Sequence, residues 1–543
     1  MTSVVTILLL LLAVVVSAFA ARLTRLPLPV VQVILGAGIA LSAIPTVELE
    51  PELFFLLFLP PLLFLDGWRI PKDDLRRDRA TVFELAVGLV VLTVVGVGFL
   101  IHWLIPAMPL PVAFALAAVV SPTDPIAVAA IAARVPIPKR MMHILEGEAL
   151  LNDASGLVCM RFAVSATMTG VFVLHEAIGS FVWVAAGGSG IGVGVAWAVM
   201  IAKEWLVRRL GEDTGSQILI SLLMPFGAYL LAEQFHCSGI LAAVAAGVTM
   251  GFMEQSGQAH ATTRVRRATV WDAVQFTANG IIFVLLGEQM PGLAMKADET
   301  VRATGHSEPW WLGVYVLAIS AALGAMRFVW VWASLKLTLF RGRRESDVQI
   351  KTDWRVIAAM SMAGVRGAIT LAGVLTLPLA LPDGSPFPAR DLAIFLAGGV
   401  ILVSLTVASL GLPRLLKDLE LPPEPSHQAE IDEARLAAAQ AAIAAVEKAQ
   451  RELASERDDA DLYADVASLV MDVYRSRITG RQQGPEVANR AREFEQIERK
   501  LRVAGLVAER AELFRRSRLR QLNGEIARKM IREIDLQEAR YSV

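Results

Sequence analysis

Long apolar runs, separated by short polar segments, dominate the chain from its start to about residue 414. An α-helix needs about 20 apolar residues to cross roughly 30 Å of hydrocarbon. The first run lacks a preceding basic segment and is followed by Arg22 and Arg25, so we interpret it as a retained helix rather than a signal peptide. We predict an all-α polytopic membrane protein with about thirteen spans, at residues 3–20, 27–45, 52–67, 82–106, 111–133, 143–168, 175–203, 216–235, 238–253, 270–293, 309–340, 354–380 and 391–414.

The composition changes abruptly after residue 414. The sequence LPPEPSH indicates a Pro-rich linker, which we place at 415–428, and the remainder is rich in Ala, Glu and Arg with helical periodicity. We therefore predict a transmembrane domain at 1–414 and a cytosolic helical tail at 429–543. A helical bundle or short coiled coil that packs on the membrane domain or on another subunit is the preferred interpretation of the tail, and a ligand sensor is the alternative.

Basic residues alternate between the two sets of predicted connections. Cytoplasmic loops of membrane proteins carry most of the Lys and Arg. One set contains basic clusters that begin at Arg22, Arg69, Arg134, Lys203, Arg264 and Arg341, whereas the other contains only Lys296, Arg302 and Arg390. This alternation predicts an odd number of spans, with the N-terminus outside and the C-terminus in the cytoplasm.

The overall composition agrees with a membrane protein. Hydrophobic residues make up 55% of the chain and charged residues 19%, which excludes an ordinary soluble domain. The formal net charge of −1 says nothing about partners when most of the surface faces lipid. The two cysteines, Cys159 and Cys237, provide neither a disulfide framework nor a metal cluster.

A few ionisable residues fall inside the predicted spans. Such side chains are costly in hydrocarbon, so each is a candidate functional residue that faces the protein interior. The candidates singled out are Asp66, Asp124, Glu146, Glu148, Asp153, Arg327 and Arg366.

The sequence SPTDP in the fifth span places a carboxylate between two helix breakers. Pro122 and Pro125 have no N–H group, so two carbonyls of the preceding turn lose their helical partners. Inside a bilayer these carbonyls must bind a neighbour, water or an ion. Together with Thr123 and Asp124 they form a set of hard oxygen ligands, which suits Na⁺, Li⁺ or K⁺. The alternative is a plain proline kink with Asp124 buried as a hydrogen-bonded acid.

The sequence GEALLNDASG in the sixth span carries the second polar group. Glu148 and Asn152 lie four residues apart on one helical face, with Asp153 beside them. Burial without a fixed positive partner penalises the charged form of a carboxylate, so such a group exchanges a proton for a cation readily. We assign that role to Asp153, whereas Glu148 needs a permanent counter-charge, for which Arg327 is the candidate. A purely structural Asp153 is the alternative.

A glycine-dense segment, MAGVRGAITLAG, surrounds Arg366 in the twelfth span. Its glycines allow close approach or an unwound helix. If spans 1 to 6 and 8 to 13 are inverted repeats, the interrupted fifth and twelfth helices are counterparts and the site lies where they cross. Alternatively, Arg366 is an anchor near the cytoplasmic end of its helix.

With these motifs in this order, residues 1–414 resemble the monovalent cation:proton antiporters, in particular the bacterial NhaP-type sodium/proton exchangers related to animal exchangers. The motifs are LPPLLFLDG, SPTDPIAV, GEALLNDASG, the Arg327 span and GVRGAITLA. The helical tail is similar to that of bacterial members with long C-terminal extensions. The resemblance implies a homodimer in a bacterial inner membrane, without a cofactor, an enzymatic activity or a nucleic-acid partner.

The resemblance also implies the roles of individual residues. Asp153 would be the principal cation- and proton-binding carboxylate, paired with Asn152. Asp124 and the backbone of Thr123 would complete the site, and Asp66 would approach it from the third helix through water.

Three further positions follow from the same resemblance. Glu148 and Arg327 would form a buried structural salt bridge, and Arg366 would be the arginine of the interrupted twelfth helix. Ala149 stands where some archaeal relatives have a serine ligand, which leaves the cation preference open. An Asn-Asp pair resembles the electroneutral branch of the superfamily, so we expect one Na⁺ to exchange for one H⁺.

Other functions are weighed against this one. The nearest alternative is an antiporter for K⁺ or for mixed monovalent cations. A cation channel would need a repeated filter-like loop, and an intramembrane aspartyl protease would need its aspartates in YD-like and GxGD contexts. The sequence contains none of these features.

Overall fold

The chain is described by a computed structural model, which has no strands longer than an isolated bridge in the described part. The described residues are 2–24, 26–41, 51–70, 88–124, 128, 139–170, 174–211, 213–254, 261–295, 301–302, 308–342, 354–417, 428–454, 460–482 and 485–541. The chain divides into two compact units, Met1–Glu420 and Leu421–Val543. Most of the predicted Pro-rich linker, at 418–427, lies outside the described residues.

The first unit consists of packed α-helices, as the apolar pattern predicts. They are α1 (Thr2–Thr24), α2 (Leu28–Ala40), α3 (Pro51–Arg69), α4 (Leu89–Leu104), α5 (Leu110–Val120), α6 (Lys139–Thr169), α7 (Leu174–Leu210), α8 (Thr214–Gln234), α9 (Gly239–Glu254), α10 (Ala261–Met295), α11 (Trp310–Gly342), α12 (Trp354–Met362), α13 (Ala368–Leu375) and α14 (Arg390–Leu416). Within the described residues, every predicted span overlaps one of these helices or, for the twelfth span, two. The all-α class is confirmed.

Six described helices contain a stretch that is long and apolar enough to cross a membrane by itself. These stretches are Ile7–Thr24, Trp183–Leu210, Thr214–Gln234, Thr262–Gly292, Trp310–Ser334 and Arg390–Leu416. Helices α2, α4, α5 and α9 are apolar but shorter, and α2 and α4 border residues outside the described part. Helix α6 is long, but its charged and polar residues lower its hydropathy. The predicted spans that lack a clear hydropathy signal therefore include those that carry the candidate chemistry.

Two interruptions of helices are seen in the described part of this unit. Helix α5 ends at Val120, residues 121–124 are non-helical, and helical structure is described again at Val128. The chain leaves α12 after Met362, runs through the non-helical residues 363–367, and re-enters a helix at Ala368. Proline explains the first break and glycine the second, because neither residue favours a helix interior.

Buried side chains of the first unit form separate clusters. One, here called the helix-8 cluster, takes its residues from α3, α7, α8, α9, α10 and the turn before α9, and includes Phe64, Met224, Ala228 and Trp271. Another, the helix-12 cluster, takes its residues from α6, α11, α12, α14 and the two interrupted segments, and includes Leu145, Val331 and Met360. A third, larger cluster draws on helices of both sets.

In the second unit, the described residues form four helices that are rich in charged residues. They are α15 (Gln428–Ala454), α16 (Ala460–Gln482), α17 (Pro485–Arg518) and α18 (Gly524–Tyr541). Exposed ion pairs lie along them, such as that of Arg515 with Glu512, and these two residues share a turn of α17. Together with Arg516, Arg515 lowers the pKa of the Glu512 carboxyl to about 2. The helical character expected of the tail is observed.

Candidate ion-binding site

The two interrupted segments are in direct contact. The backbone N–H of Asp124 donates a hydrogen bond of 2.7 Å to the carbonyl of Val365. This bond joins the break after α5 to the break between α12 and α13. The approach is close, because a Cβ atom added at Gly367 would overlap the Asp124 carboxylate. Glycine is therefore required at 367 for the breaks to meet in this way.

Arg366 places its guanidinium group at this contact. Its Nε donates to the carbonyl of Val120 at 2.9 Å, and its Nη1 donates to the carbonyl of Gly364. The Arg366 backbone N–H is bound by Ser404 Oγ of α14 at 3.1 Å. The side chain is 6% exposed. A positive charge thus stands at the C-terminal end of α5, where the helix dipole and unpaired carbonyls favour it.

Polar side chains of α6 face the first break. Asn152 Nδ2 donates to Thr123 Oγ1 at 3.0 Å, and both residues are buried. Gly156, one turn further along α6, lies so close to the break that a Cβ there would meet the Ala118 carbonyl and the Pro122 ring. The Asn-Asp pair is thereby held against the broken end of α5.

Two buried oxygens at this contact have no hydrogen-bond partner among the described residues. They are Asn152 Oδ1 and Ser121 Oγ, in side chains that are 2% and 5% exposed. An unsatisfied buried polar group costs about 1–3 kcal/mol, so such an atom is expected to have a partner when the protein works. Ser121 was missed as a candidate by sequence reasoning. Its only signal is its position directly before Pro122.

The Asp153 carboxylate lies among other acids. It is 3% exposed, and the charges of Asp66, Asp124 and Glu148 all act on it. Among the described residues, no ion pair joins Asp153 to a basic side chain. Asp66 and Asp124 are both partly exposed. The structure therefore brings Asp66 on α3, Asp124 in the break and Asp153 on α6 into one electrostatic cluster.

Glu148 has a different environment from Asp153 on the same helix. Its two carboxylate oxygens accept from Arg327, Oε1 from Nη1 and Oε2 from Nη2 at 2.8 Å. Arg327 Nε donates to the Met360 carbonyl of α12 at 3.3 Å. Both side chains are at most 2% exposed. The pair links α6 to α11 and α12 as a fixed, neutral unit.

Two residues singled out from the sequence lie wholly or partly outside the described residues, and a third provides no ligand. Pro125 and the side chain of Glu146 lie outside the described residues. Ala149 is buried in α6 and contributes no oxygen. Among the described residues, no group of three or more His, Cys, Asp or Glu side chains is arranged to hold a metal ion. The donors at the break are instead carboxylate, amide and hydroxyl oxygens from separate elements, a set that suits a hard monovalent cation.

Sequence reasoning also missed an ion pair between two predicted spans. Arg161 of α6 and Glu233 of α8 approach each other to 2.9 Å, and neither was singled out from the sequence. Both residues could have been recognised as candidates from the sequence, because they fall inside predicted spans, where ionisable residues are rare.

Comparison with known proteins identifies the family of the chain. The family model for the transmembrane sodium/hydrogen exchangers matches residues 7–418. The uncharacterized Na⁺/H⁺ exchanger YjcE of Escherichia coli strain K12 is 42% identical over 524 residues, covering 95% of this chain and 94% of that protein. The sodium, potassium, lithium and rubidium/H⁺ antiporter of Bacillus pumilus is 40% identical over 493 residues, covering 90% of this chain and 70% of that protein.

The fold is also similar to a solved structure. The sodium proton antiporter MjNhaP1 of Methanocaldococcus jannaschii superposes with a TM-score of 0.58 at 18% identity, covering 77% of this chain and 99% of that one. At this identity the match concerns the fold alone. Taken with the family model, which covers most of the chain, it identifies this multi-pass membrane protein as a member of the sodium/hydrogen exchanger family.

Proposed function

We propose that the chain is a secondary active transporter that exchanges Na⁺ for H⁺ across the membrane, one for one. The observation that carries this proposal is a buried carboxylate, Asp153, that has no described ion-pair partner and lies beside two broken helices. Membership of the exchanger family and the names of the relatives support it. The family transports ions rather than converting a substrate chemically, so the chain is not expected to be an enzyme.

Competition at Asp153 couples the two ions. When the carboxylate holds a proton, it is neutral and has little affinity for a cation. When it loses the proton, a cation neutralises it instead. An empty, charged site is costly to move through a low-dielectric barrier, so only the two loaded forms cross readily. Each crossing therefore carries one positive charge, and the cycle is electroneutral.

Neighbouring oxygens complete the proposed coordination shell. Asp124, the backbone of Thr123, and Asn152 supply ligands from the break and from α6. Asn152 Oδ1 is an acceptor without a described partner, which makes it available for the cation. Asp66 on α3 acts on Asp153 electrostatically, which fits a contact through water. The ion would thus be held by side chains from three elements.

The remaining charged residues have supporting roles. The pairing of Glu148 with Arg327 removes both from competition for the cation. Arg366 satisfies carbonyls of both breaks and adds a fixed positive charge beside the site. That charge limits the number of cations that the acidic cluster holds at once.

A second candidate function is antiport of K⁺ or of several monovalent cations. The relative from Bacillus pumilus carries sodium, potassium, lithium and rubidium in its name. In this chain, Ala149 contributes no oxygen beside Glu148, so the shell has fewer rigid ligands. A less complete shell discriminates less by ion size. Antiport of K⁺ or of several cations is therefore the second candidate, and a transport assay with Na⁺, Li⁺ and K⁺ separates it from Na⁺/H⁺ exchange.

We further propose the orientation and assembly that the sequence suggests. The alternating basic connections support an N-terminus outside and a C-terminus in the cytoplasm. The bacterial relatives support a location in the inner membrane. A homodimer is expected from the family.

Purified protein in liposomes tests the function. Addition of Na⁺, Li⁺ or K⁺ to vesicles loaded with acid and a pH-sensitive dye should raise the internal pH, with Na⁺ effective at the lowest concentration. The response should be independent of a potential set by K⁺ and valinomycin. No response to any cation would refute the exchange, and a steep dependence on potential would refute the one-for-one stoichiometry. Equal responses to Na⁺ and K⁺ would favour the second function.

A further inference from the structure

An ion pair joins α6 to α8 at a distance from the proposed ion site. Arg161 Nη1 lies 2.9 Å from Glu233 Oε1, and each side chain is 35% exposed. Glu233 Oε1 also accepts a hydrogen bond of 3.2 Å from the backbone N–H of Gly239, the first residue of α9. Glu233 is therefore held in place by the turn between α8 and α9. Arg161 reaches it from the helix that carries Asp153.

The two helices belong to differently packed parts of the first unit. Helix α6 contributes Leu145 to the helix-12 cluster, and its residue Glu148 is bound to α11 and α12 through Arg327. Helix α8 contributes Met224, Ala228 and Ala232 to the helix-8 cluster. The ion pair is a polar contact between the helices around the interrupted segments and those around α8, which also share the third cluster, where Met160 and Ala163 of α6 occur with Tyr229 of α8. It is the kind of contact that must break if one group moves against the other.

The position of Arg161 along α6 decides on which side of the membrane the ion pair lies. Arg161 follows Asp153 by eight residues, which is about 12 Å along the helix at 1.5 Å per residue. In the proposed orientation the sixth helix runs outward, so Arg161 is on the external side of Asp153. The end of α8, where Glu233 lies, is also external in that orientation.

We infer that the Arg161–Glu233 pair is an external latch that stabilises the conformation in which Asp153 is open to the cytoplasm. An external path to Asp153 requires the two groups of helices to separate on the external side, which parts Arg161 from Glu233. A contact present in one of two states shifts the balance between them by its own strength. The inference rests on the proposed exchange function, because it assigns the latch to the cycle of that exchanger.

Loss of the latch should change the KM for Na⁺ in opposite directions at the two faces of the protein. Arg161→Ala should lower the KM for Na⁺ at the external face and raise it at the cytoplasmic face, so that the ratio of the two KM values changes by about threefold, the population shift that a partly exposed ion pair supports. Glu233→Gln should give the same asymmetry, and Arg161→Lys should leave both KM values close to the original. The double variant should show no larger shift than either single variant, because both remove one interaction.

Sided transport assays test this inference. The KM for Na⁺ is measured in proteoliposomes of known orientation, with cation added from one face and then from the other. The matched control is Arg208→Ala, which removes an exposed ion pair to Glu204 within α7 and should change neither value. If Arg161→Ala does not fold, Glu233→Gln and Arg161→Lys still probe the pair.

The outcomes separate the latch from the function. Equal changes at both faces, no change in an active variant, or additive effects in the double variant would overturn the latch while leaving the exchanger intact. Absence of cation-driven proton movement in the unaltered protein would overturn the proposed function itself.

Discussion

Glu148 and Asp153 lie five residues apart on α6, and both are almost completely buried. Glu148 receives two hydrogen bonds from Arg327, which is itself bound to α12. Asp153 has no described ion-pair partner and lies among carboxylates and unsatisfied oxygens. Burial alone therefore does not decide what a carboxylate does in this protein. Glu148 has a permanent partner and is a structural acid. Asp153 has no described ion-pair partner and is the proposed site of the exchangeable charge.

The two regions also differ in their backbone. Glu148 lies within the continuous helix α6, and its partner Arg327 of α11 binds the Met360 carbonyl in the last turn of α12. The Asp153 region borders two breaks, where carbonyls and N–H groups bind across elements, as in the contact of Asp124 with Val365. Polar backbone at this depth is tolerated only where protein, water or an ion satisfies it.

The largest effect is expected at the exchangeable acid. Asp153→Asn should reduce cation-driven proton movement in proteoliposomes to the background of empty vesicles, because an amide holds neither a proton nor a negative charge. Thermal unfolding should stay close to that of the original protein, since no described ion pair is lost. Substantial exchange by this variant would show that another group carries the proton.

The structural acid should respond in the opposite way. Arg327→Ala leaves Glu148 buried and uncompensated, so it should destabilise the fold by about 3–5 kcal/mol. The melting temperature in detergent measures this loss, and the double variant Glu148→Gln/Arg327→Met should recover part of it. The control Arg475→Ala removes an exposed pair to Asp472 and should cost less than about 1 kcal/mol. Unchanged stability of Arg327→Ala would contradict the structural role.

The contact between the breaks can be disturbed by one methyl group. Gly367→Ala places a Cβ on the Asp124 carboxylate, so we expect the KM for Na⁺ to rise about tenfold, with strain of about 1–3 kcal/mol. At Gly373 an added Cβ would meet only side-chain methyl groups, at 3.1 Å or more. Gly373→Ala is therefore the matched control, with a smaller expected change. Equal effects of both variants would argue against a special contact at Asp124.

The smallest expected effect concerns the hydroxyl of Ser121. If it binds the cation, Ser121→Ala should raise the KM for Na⁺ about threefold while leaving stability equal or slightly higher, because an unsatisfied buried hydroxyl is removed. The control Ser361→Ala removes a buried hydroxyl that donates to the Ile357 carbonyl at 2.7 Å. That variant should lose stability without a change in KM. A Ser121→Ala protein with normal KM would exclude the hydroxyl as a ligand.

Much of the fold could be predicted from the sequence, because a membrane helix is defined by length and apolarity. Each predicted span overlaps a described helix, and the prolines and glycines marked both interruptions. Helices α7 and α10 extend beyond their predicted spans, to Leu210 and from Ala261, because their charged ends are helical without being apolar. The twelfth predicted span ends at residue 380, whereas the helix ends at Leu375, because the chain leaves the helix inside an apolar stretch.

The contacts of the site were less accessible to sequence reasoning. Asp124, Asn152 and Asp153 could be singled out, because polar residues are costly in a bilayer. The bond from Asp124 to Val365, the capping of Val120 by Arg366 and the orphan oxygen of Ser121 depend on how helices far apart in sequence cross. Arg161 and Glu233 were visible as charges, but their pairing could be recognised only in three dimensions.

In the proposed mechanism, a proton and a cation compete for Asp153. The most direct test is the KM for Na⁺ measured in proteoliposomes at a series of pH values equal on both sides, using isotopic Na⁺ exchange. Because a cation binds only the deprotonated carboxylate, the KM should rise about tenfold for each unit of falling pH in the acidic range, while the maximum rate stays constant. A KM that does not change with pH, with the maximum rate changing instead, would contradict the account.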